Sequence, residues 1–196
     1  FRRRGWLAIK DELGRDALIA GDSEVFAVAD HQVAQVYVRD RSRLAEVRAV
    51  VAAVDGVEEV RDGWGEGPAG GRGGDLVAVA EPDAWFTYYY WEDDARAPDF
   101  ARCVDIHRKP GYDPAELFLD PAIRLPRLRV AAHLARVKAG MRSLLEVVPL
   151  DAGMVGGSHG RDEVPENERP VVIGAAGEVE WAGDLFEEMV RVVRGG

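Results

Sequence analysis

The sequence predicts an α/β domain, a layered sheet flanked by helices. Three observations carry this: short β-forming apolar runs, segments of helical period between them, and turn residues at the joints. Glu24 to Asp30 is a compact apolar run ending on the polar pair Asp30-His31, the form of a buried strand, and Val33 to Val38 repeats the character until Arg39-Asp40 breaks it. Leu44, Val47, Val50, Val51 and Val54 recur at three and four, one helical face, and Asp55-Gly56 ends the pattern. Val57 to Val60 reads as a short strand. Gly63 to Gly74 holds seven glycines in twelve residues and reads as a surface hairpin or linker. A phosphate-cradling loop needs a Gly-Lys-Ser/Thr ending or a helix directly behind it, whereas Asp75 leads into the strand-like Leu76 to Ala80.

Trp85 to Trp91 is a dense aromatic strand by its pattern, with Trp85, Thr87, Tyr89 and Trp91 on one face and Phe86, Tyr88 and Tyr90 on the other. It serves either as core packing or as a stacking platform for a flat ligand group. Leu125 to Val148 has a helical face through Val130, Leu134, Val137, Met141, Leu144 and Leu145, divided or delimited by Pro126 and Gly140, with His133 a core or surface histidine inside it. Pro170 to Gly174 is a last strand candidate, and an amphipathic helix through Leu185, Met189, Val190 and Val193 closes the chain. No internal repeat is visible.

The 196 residues, 47% of them hydrophobic, suit one domain or a large piece of one. A formal net charge of -10 repels a phosphate backbone and excludes general nucleic-acid binding; a phosphate-bearing substrate needs local cations, for which metal ions are the natural source. No apolar run approaches the roughly 18 residues of a membrane span. Cys103 alone allows neither an internal disulfide nor a thiolate cluster and agrees with a reducing, cytoplasmic setting. The chain opens on Phe1 with no signal-peptide pattern, which raises the expectation that it starts inside a larger protein.

The histidine contexts differ. His31 follows an aspartate at the end of an apolar run, where ligands gather in α/β sheets. His159 sits in Gly156-Gly157-Ser158-His159-Gly160-Arg161-Asp162, a small-residue turn that lets the backbone bring an imidazole close to an ion. His107 lies in Asp105-Ile106-His107-Arg108-Lys109-Pro110-Gly111-Tyr112-Asp113-Pro114. Carboxylate and imidazole are ordinary ligands for zinc or manganese, so Asp30, His31 and His159 either ligate metal or cap turns.

On these residues the chain resembles the alkaline phosphatase superfamily, in its type I phosphodiesterase and nucleotide pyrophosphatase branch. The resemblance runs from about residue 20 onward through three segments: Phe26 to Val38 around Asp30-His31, Leu76 to Pro114, and Gly157-Ser158-His159-Gly160. It implies a hydrolase of phosphodiester or phosphate ester bonds with two divalent ions, zinc first and manganese or magnesium as alternatives, clamping the attacking and leaving oxygens. Asp30 and His31 are implied to hold the ion that activates the nucleophile and His159 the other. His107, Arg108 and Arg161 are candidate substrate or outer-shell groups, with Lys109 near them in the same basic cluster.

In that family the remaining ligands and a threonine or serine nucleophile precede the Asp-His pair. The expectation is therefore that residues 1–196 are the carboxyl-terminal part of a single alkaline-phosphatase-like domain. Such a piece has no nucleophile of its own, is inactive alone, and is partnered by a missing amino-terminal portion of the same protein. A phosphomutase, sulfatase or phosphonate hydrolase of the superfamily, or a non-catalytic binding or scaffold domain, are the alternatives. One departure stands out: the family has glycine after Asp-His where this chain has Gln32, so the backbone must bend or bulge if Asp30 and His31 share an ion.

Overall fold

The computed structural model describes residues 1–63, 73–169, 171, 173 and 182–194. Most of the glycine-rich stretch and of the last strand candidate falls outside the described residues. The chain divides into two compact units, Phe1–Arg161 and Asp162–Gly196.

The first unit is α/β, with two antiparallel sheets. A small hairpin pairs β1 (Ile9–Glu12) with β2 (Arg15–Leu18), an element the sequence pattern did not announce. Its two-residue turn, Leu13-Gly14, takes positive φ at both positions (55° and 82°), the twist that matches a hairpin. Asn or Asp normally fills the first position. A leucine there costs roughly 1 kcal/mol, and Leu13 is 99% exposed, so burial offsets none of it.

The main sheet runs β3 (Val25–Asp30), β4 (Val33–Val38), β6 (Leu76–Ala80), β5 (Val57–Asp62), every neighbour antiparallel. The apolar runs therefore build an antiparallel sheet, because β3 and β4 are joined by a tight hairpin and need no crossover helix. β4 alternates between buried and half-buried residues, while central β6 is buried throughout. The helix α1 (Leu44–Ala52) lays Val47 and Val51 on one face of this sheet against Val25, Val36, Leu76 and Ala78, with Trp6 closing the cluster. Each such side chain contributes about 1.5–3 kcal/mol when fully buried, so this cluster is the main source of stability in the unit.

The aromatic segment Trp85 to Trp91 is not a strand: it has no ladder partner among the described residues. Phe86 N donates to the His31 carbonyl at 2.7 Å, and the segment then runs irregularly while Tyr88, Tyr90 and Trp91 pack with Ala97 and Ala101 in a second cluster. Period-two aromatics satisfied packing here without a backbone ladder. The Leu125 to Val148 periodicity also overreached. The helix α2 is Pro126–Lys138, opened by Pro126 and stopped at Gly140, whose φ of 75° is the left-handed geometry of a helix end. In the second unit, α3 (Ala182–Val193) is the amphipathic helix expected at the end of the chain.

Candidate active site

Asp30 and His31 stand where β3 turns into β4: Asp30 opposes Val33 in the register, and His31-Gln32 form the two-residue turn. The bend required at this pair is made by His31 itself, whose φ is 56°, a region in which histidine is among the better tolerated non-glycine residues. Gln32 then fastens the turn. Its side-chain amide donates to the Pro82 carbonyl at 2.9 Å, its carbonyl accepts from Ala80 N, and its own N–H donates to the His159 carbonyl at 2.9 Å. A glutamine in place of the family's glycine is thus a buried anchor, and the conformational demand falls on the residue before it.

That last bond brings in a segment 127 residues further along. Ser158 Oγ lies 2.6 Å from His31 Nδ1, and the rings of His31 and His159 stack at 4.0 Å between centroids with 25° between planes. Gly160 (φ 123°) permits this approach, since a side chain there meets the Asp30 carbonyl and Gln32 N at 3.3 Å. Arg161 ends the segment by bonding Glu58 and the Ala80 carbonyl beside the same turn. Of the residues the sequence singled out, Asp30, His31, His159 and Arg161 therefore assemble around one end of the main sheet.

A third segment reaches the turn from the other side. Gly111 bridges Ala29 in parallel, Tyr112 N donates to the Ala29 carbonyl at 2.9 Å, and the Tyr112 ring lies 6.1 Å from that of His31. Ser158 and Tyr112 are neighbours of His31 that no spacing in the sequence marks, because both contacts come from distant chain. Burial and then the adjacent His159 ring push the His31 imidazole below its ordinary pKa, against the opposing pull of Asp30 and Asp113, which favours the neutral ring.

His107 and Arg108 do not join this group. His107 is exposed in a turn closed by Arg108 N to the Asp105 carbonyl, and Arg108 pairs with Asp99 at 2.6 Å over the Phe100 ring. Lys109 has no exposed side-chain surface. It pairs with Asp113 at 2.9 Å and with Glu116, and so holds its own loop together.

The site offers donors of the kind divalent metals take, two imidazoles and a carboxylate. Only the two rings are in contact, however: among the described residues no group of three or more His, Cys, Asp or Glu side chains is gathered to hold an ion, so the Asp30 carboxylate does not complete a trio with His31 and His159. No described helix is long and apolar enough to cross a membrane.

No curated protein and no solved structure matches the chain in comparison searches. The family model described as type I phosphodiesterase / nucleotide pyrophosphatase matches residues 1–113, more than half of the sequence, including β3, the Asp30-His31 turn and the loop through Tyr112. The chain belongs to the type I phosphodiesterase / nucleotide pyrophosphatase family.

Proposed function

We propose that the protein is a metal-dependent hydrolase of phosphodiester and phosphate ester bonds in which Asp30, His31 and His159 hold part of a two-ion centre. The observation that carries this is the stacking of His31 on His159 at 4.0 Å. His159 lies beyond the matched segment, so its arrival at the Asp-His turn is independent of the family match. Two near-parallel imidazoles direct their in-plane lone pairs side by side, which do not converge on one point. They suit two neighbouring ions, one for each ring, better than a single shared ion.

Zinc is the metal the donor set suits best, with manganese or magnesium as alternatives. When bound, such ions polarise the phosphoryl oxygens and stabilise the charge of displacement. The chain's own residues do the orienting. Ser158 engages His31 Nδ1, which leaves Nε2 available to a ligand, and the Gln32 to His159 backbone bond holds the two rings in register. Arg161, with 9% of its side chain exposed, ties the His159 segment to β6, a positioning role that suits it better than substrate contact. The nucleophile and remaining ligands belong, in this reading, to an amino-terminal portion of the same protein.

The test uses the intact protein and bis(p-nitrophenyl) phosphate. Hydrolysis is expected to disappear with chelator, return with zinc, and fall in His159→Ala by more than about 100-fold, the upper end for loss of a mere outer-shell partner. Hydrolysis indifferent to chelator and to His159→Ala overturns the proposal.

A further inference from the structure

Away from the Asp30-His31 turn, a cavity of about 410 Å³ opens between the β1–β2 hairpin and the Asp99 to Arg108 region, and three guanidiniums line it: Arg15, Arg108 and Arg142. Neither His31 nor His159 lines it. Three carboxylates share the lining. Asp16 is engaged outside it by Arg2 and Arg96, Asp99 takes one bond from Arg108 within it, and Glu12 is the backbone register partner of Arg15 across the hairpin. The cations are less fully used. Arg15 gives one Nη1 bond to the Ala97 carbonyl at 2.8 Å, and Arg142, which is exposed, has no side-chain hydrogen bond or ion pair among the described residues. A guanidinium has five N–H donors in a planar fork, so most of the donor capacity here is open.

Apolar groups complete the lining. Phe100 lies under the Arg108 guanidinium at 4.8 Å, Leu144 is at the margin, and Leu13 stands at the hairpin tip. Leu13 is the second, independent observation. A fully exposed leucine in left-handed backbone gains nothing for the fold, and a residue kept in an unfavourable conformation at the edge of a cavity points to use of its side chain.

We infer that this cavity binds a phosphate or phosphonate group carrying a flat apolar substituent, with Arg142 and Arg15 on the anion and Phe100 and Leu13 on the substituent. It is a site separate from the Asp30-His31 turn and stands whether or not the metal-centre proposal does. Free phosphate esters and lipid headgroups share this chemistry; the aromatic wall favours the free ester.

Benzylphosphonate, which has no ester bond to cleave, is the probe, titrated calorimetrically into the intact protein beside inorganic phosphate and phosphatidylserine-containing vesicles. Benzylphosphonate is expected to bind saturably and more tightly than inorganic phosphate. Arg142→Ala weakens it about tenfold, the effect of one charge-assisted bond, whereas Asp99→Asn, which frees Arg108, strengthens it. Leu13→Asn raises the melting temperature by relieving the turn and weakens benzylphosphonate while leaving inorganic phosphate unchanged. His159→Ala leaves all of this intact. The inference is overturned by absence of saturable binding, by binding that survives Arg142→Ala, by binding lost in His159→Ala, or by binding to vesicles alone.

Discussion

His31 concentrates more of the site's physics than any other residue: a positive φ, a neutral-leaning ring, and contacts to Ser158, His159 and Tyr112. The Ser158 hydroxyl sets which imidazole nitrogen is engaged, since removing a partner at Nδ1 lets the ring redistribute its proton. Ser158→Ala is expected to shift the His31 imidazole nitrogen resonances toward a mixed tautomer and to weaken zinc binding about tenfold, within the range for loss of an outer-shell partner. Unchanged resonances would remove Ser158 from the site. Cys103 is of the opposite kind: buried, its thiol pushed up by that burial, it is a packing residue.

At the scale of elements, the loop from Asp105 to Glu116 illustrates how a polar segment is fastened to a sheet end. One fastening is the backbone contact at Gly111, where φ is 134° and an added Cβ falls 2.4 Å from the Ala29 carbonyl oxygen. Backbone cannot yield as a flexible side chain does, so Gly111→Ala is expected to cost about 2–3 kcal/mol and to pull Tyr112 away from His31, measurable by urea denaturation and by the His31 ring shifts. The other is the buried ion triad of Lys109 with Asp113 and Glu116, where the ammonium also lies 5.5 Å from the Tyr88 ring centre. Lys109→Met fits the volume but strands two carboxylates in a place shielded from water. A loss of about 3–5 kcal/mol is expected, and Lys109→Met with Asp113→Asn, which keeps the acceptor for Ala115 N, and Glu116→Gln recovers most of it. A loss under 1 kcal/mol for the single change would show that the triad is solvated. Tyr90, in the aromatic cluster with Tyr88 and Trp91, has its phenol pushed up to about 12 by burial.

Across the whole first unit, charge and burial meet at Asp16, which is 1% exposed and joins the start of the chain to the second cluster through Arg2 and Arg96, the latter at 2.9 Å. Burial alone raises its carboxyl, but the two guanidinium bonds overcome that and hold it below the ordinary carboxylate range. A folded-state value depressed in this way contributes stability that is complete above the unfolded value near 3.9 and is lost as pH falls through the lower folded value. Asp16→Asn is therefore expected to cost about 2–3 kcal/mol at neutral pH, with the gap to wild type closing below about pH 4. A gap constant with pH would sever Asp16 from the acid response. The α/β class, β3, β4, β6, α1 and the closing helix were legible in the sequence because hydrophobic periodicity reports which face of an element is buried, and Asp30-His31 with Gly-Ser-His-Gly were legible as polar groups set in turn-forming chain. The β1–β2 hairpin was not, because its residues are mostly polar and its turn breaks the usual Asn/Asp-Gly preference. The aromatic run was misread as a strand because alternation records packing and not ladder pairing. What the sequence by itself determined is thus local: the buried face of most apolar strands and helices, and the turn-forming settings of Asp30-His31 and Gly157-Ser158-His159-Gly160. Only the tertiary structure decided that His31 meets Ser158 and His159, that Lys109 is buried and that Arg108 faces a different cavity, because a contact between residues 127 apart depends on the path of the whole intervening chain, which no local pattern encodes.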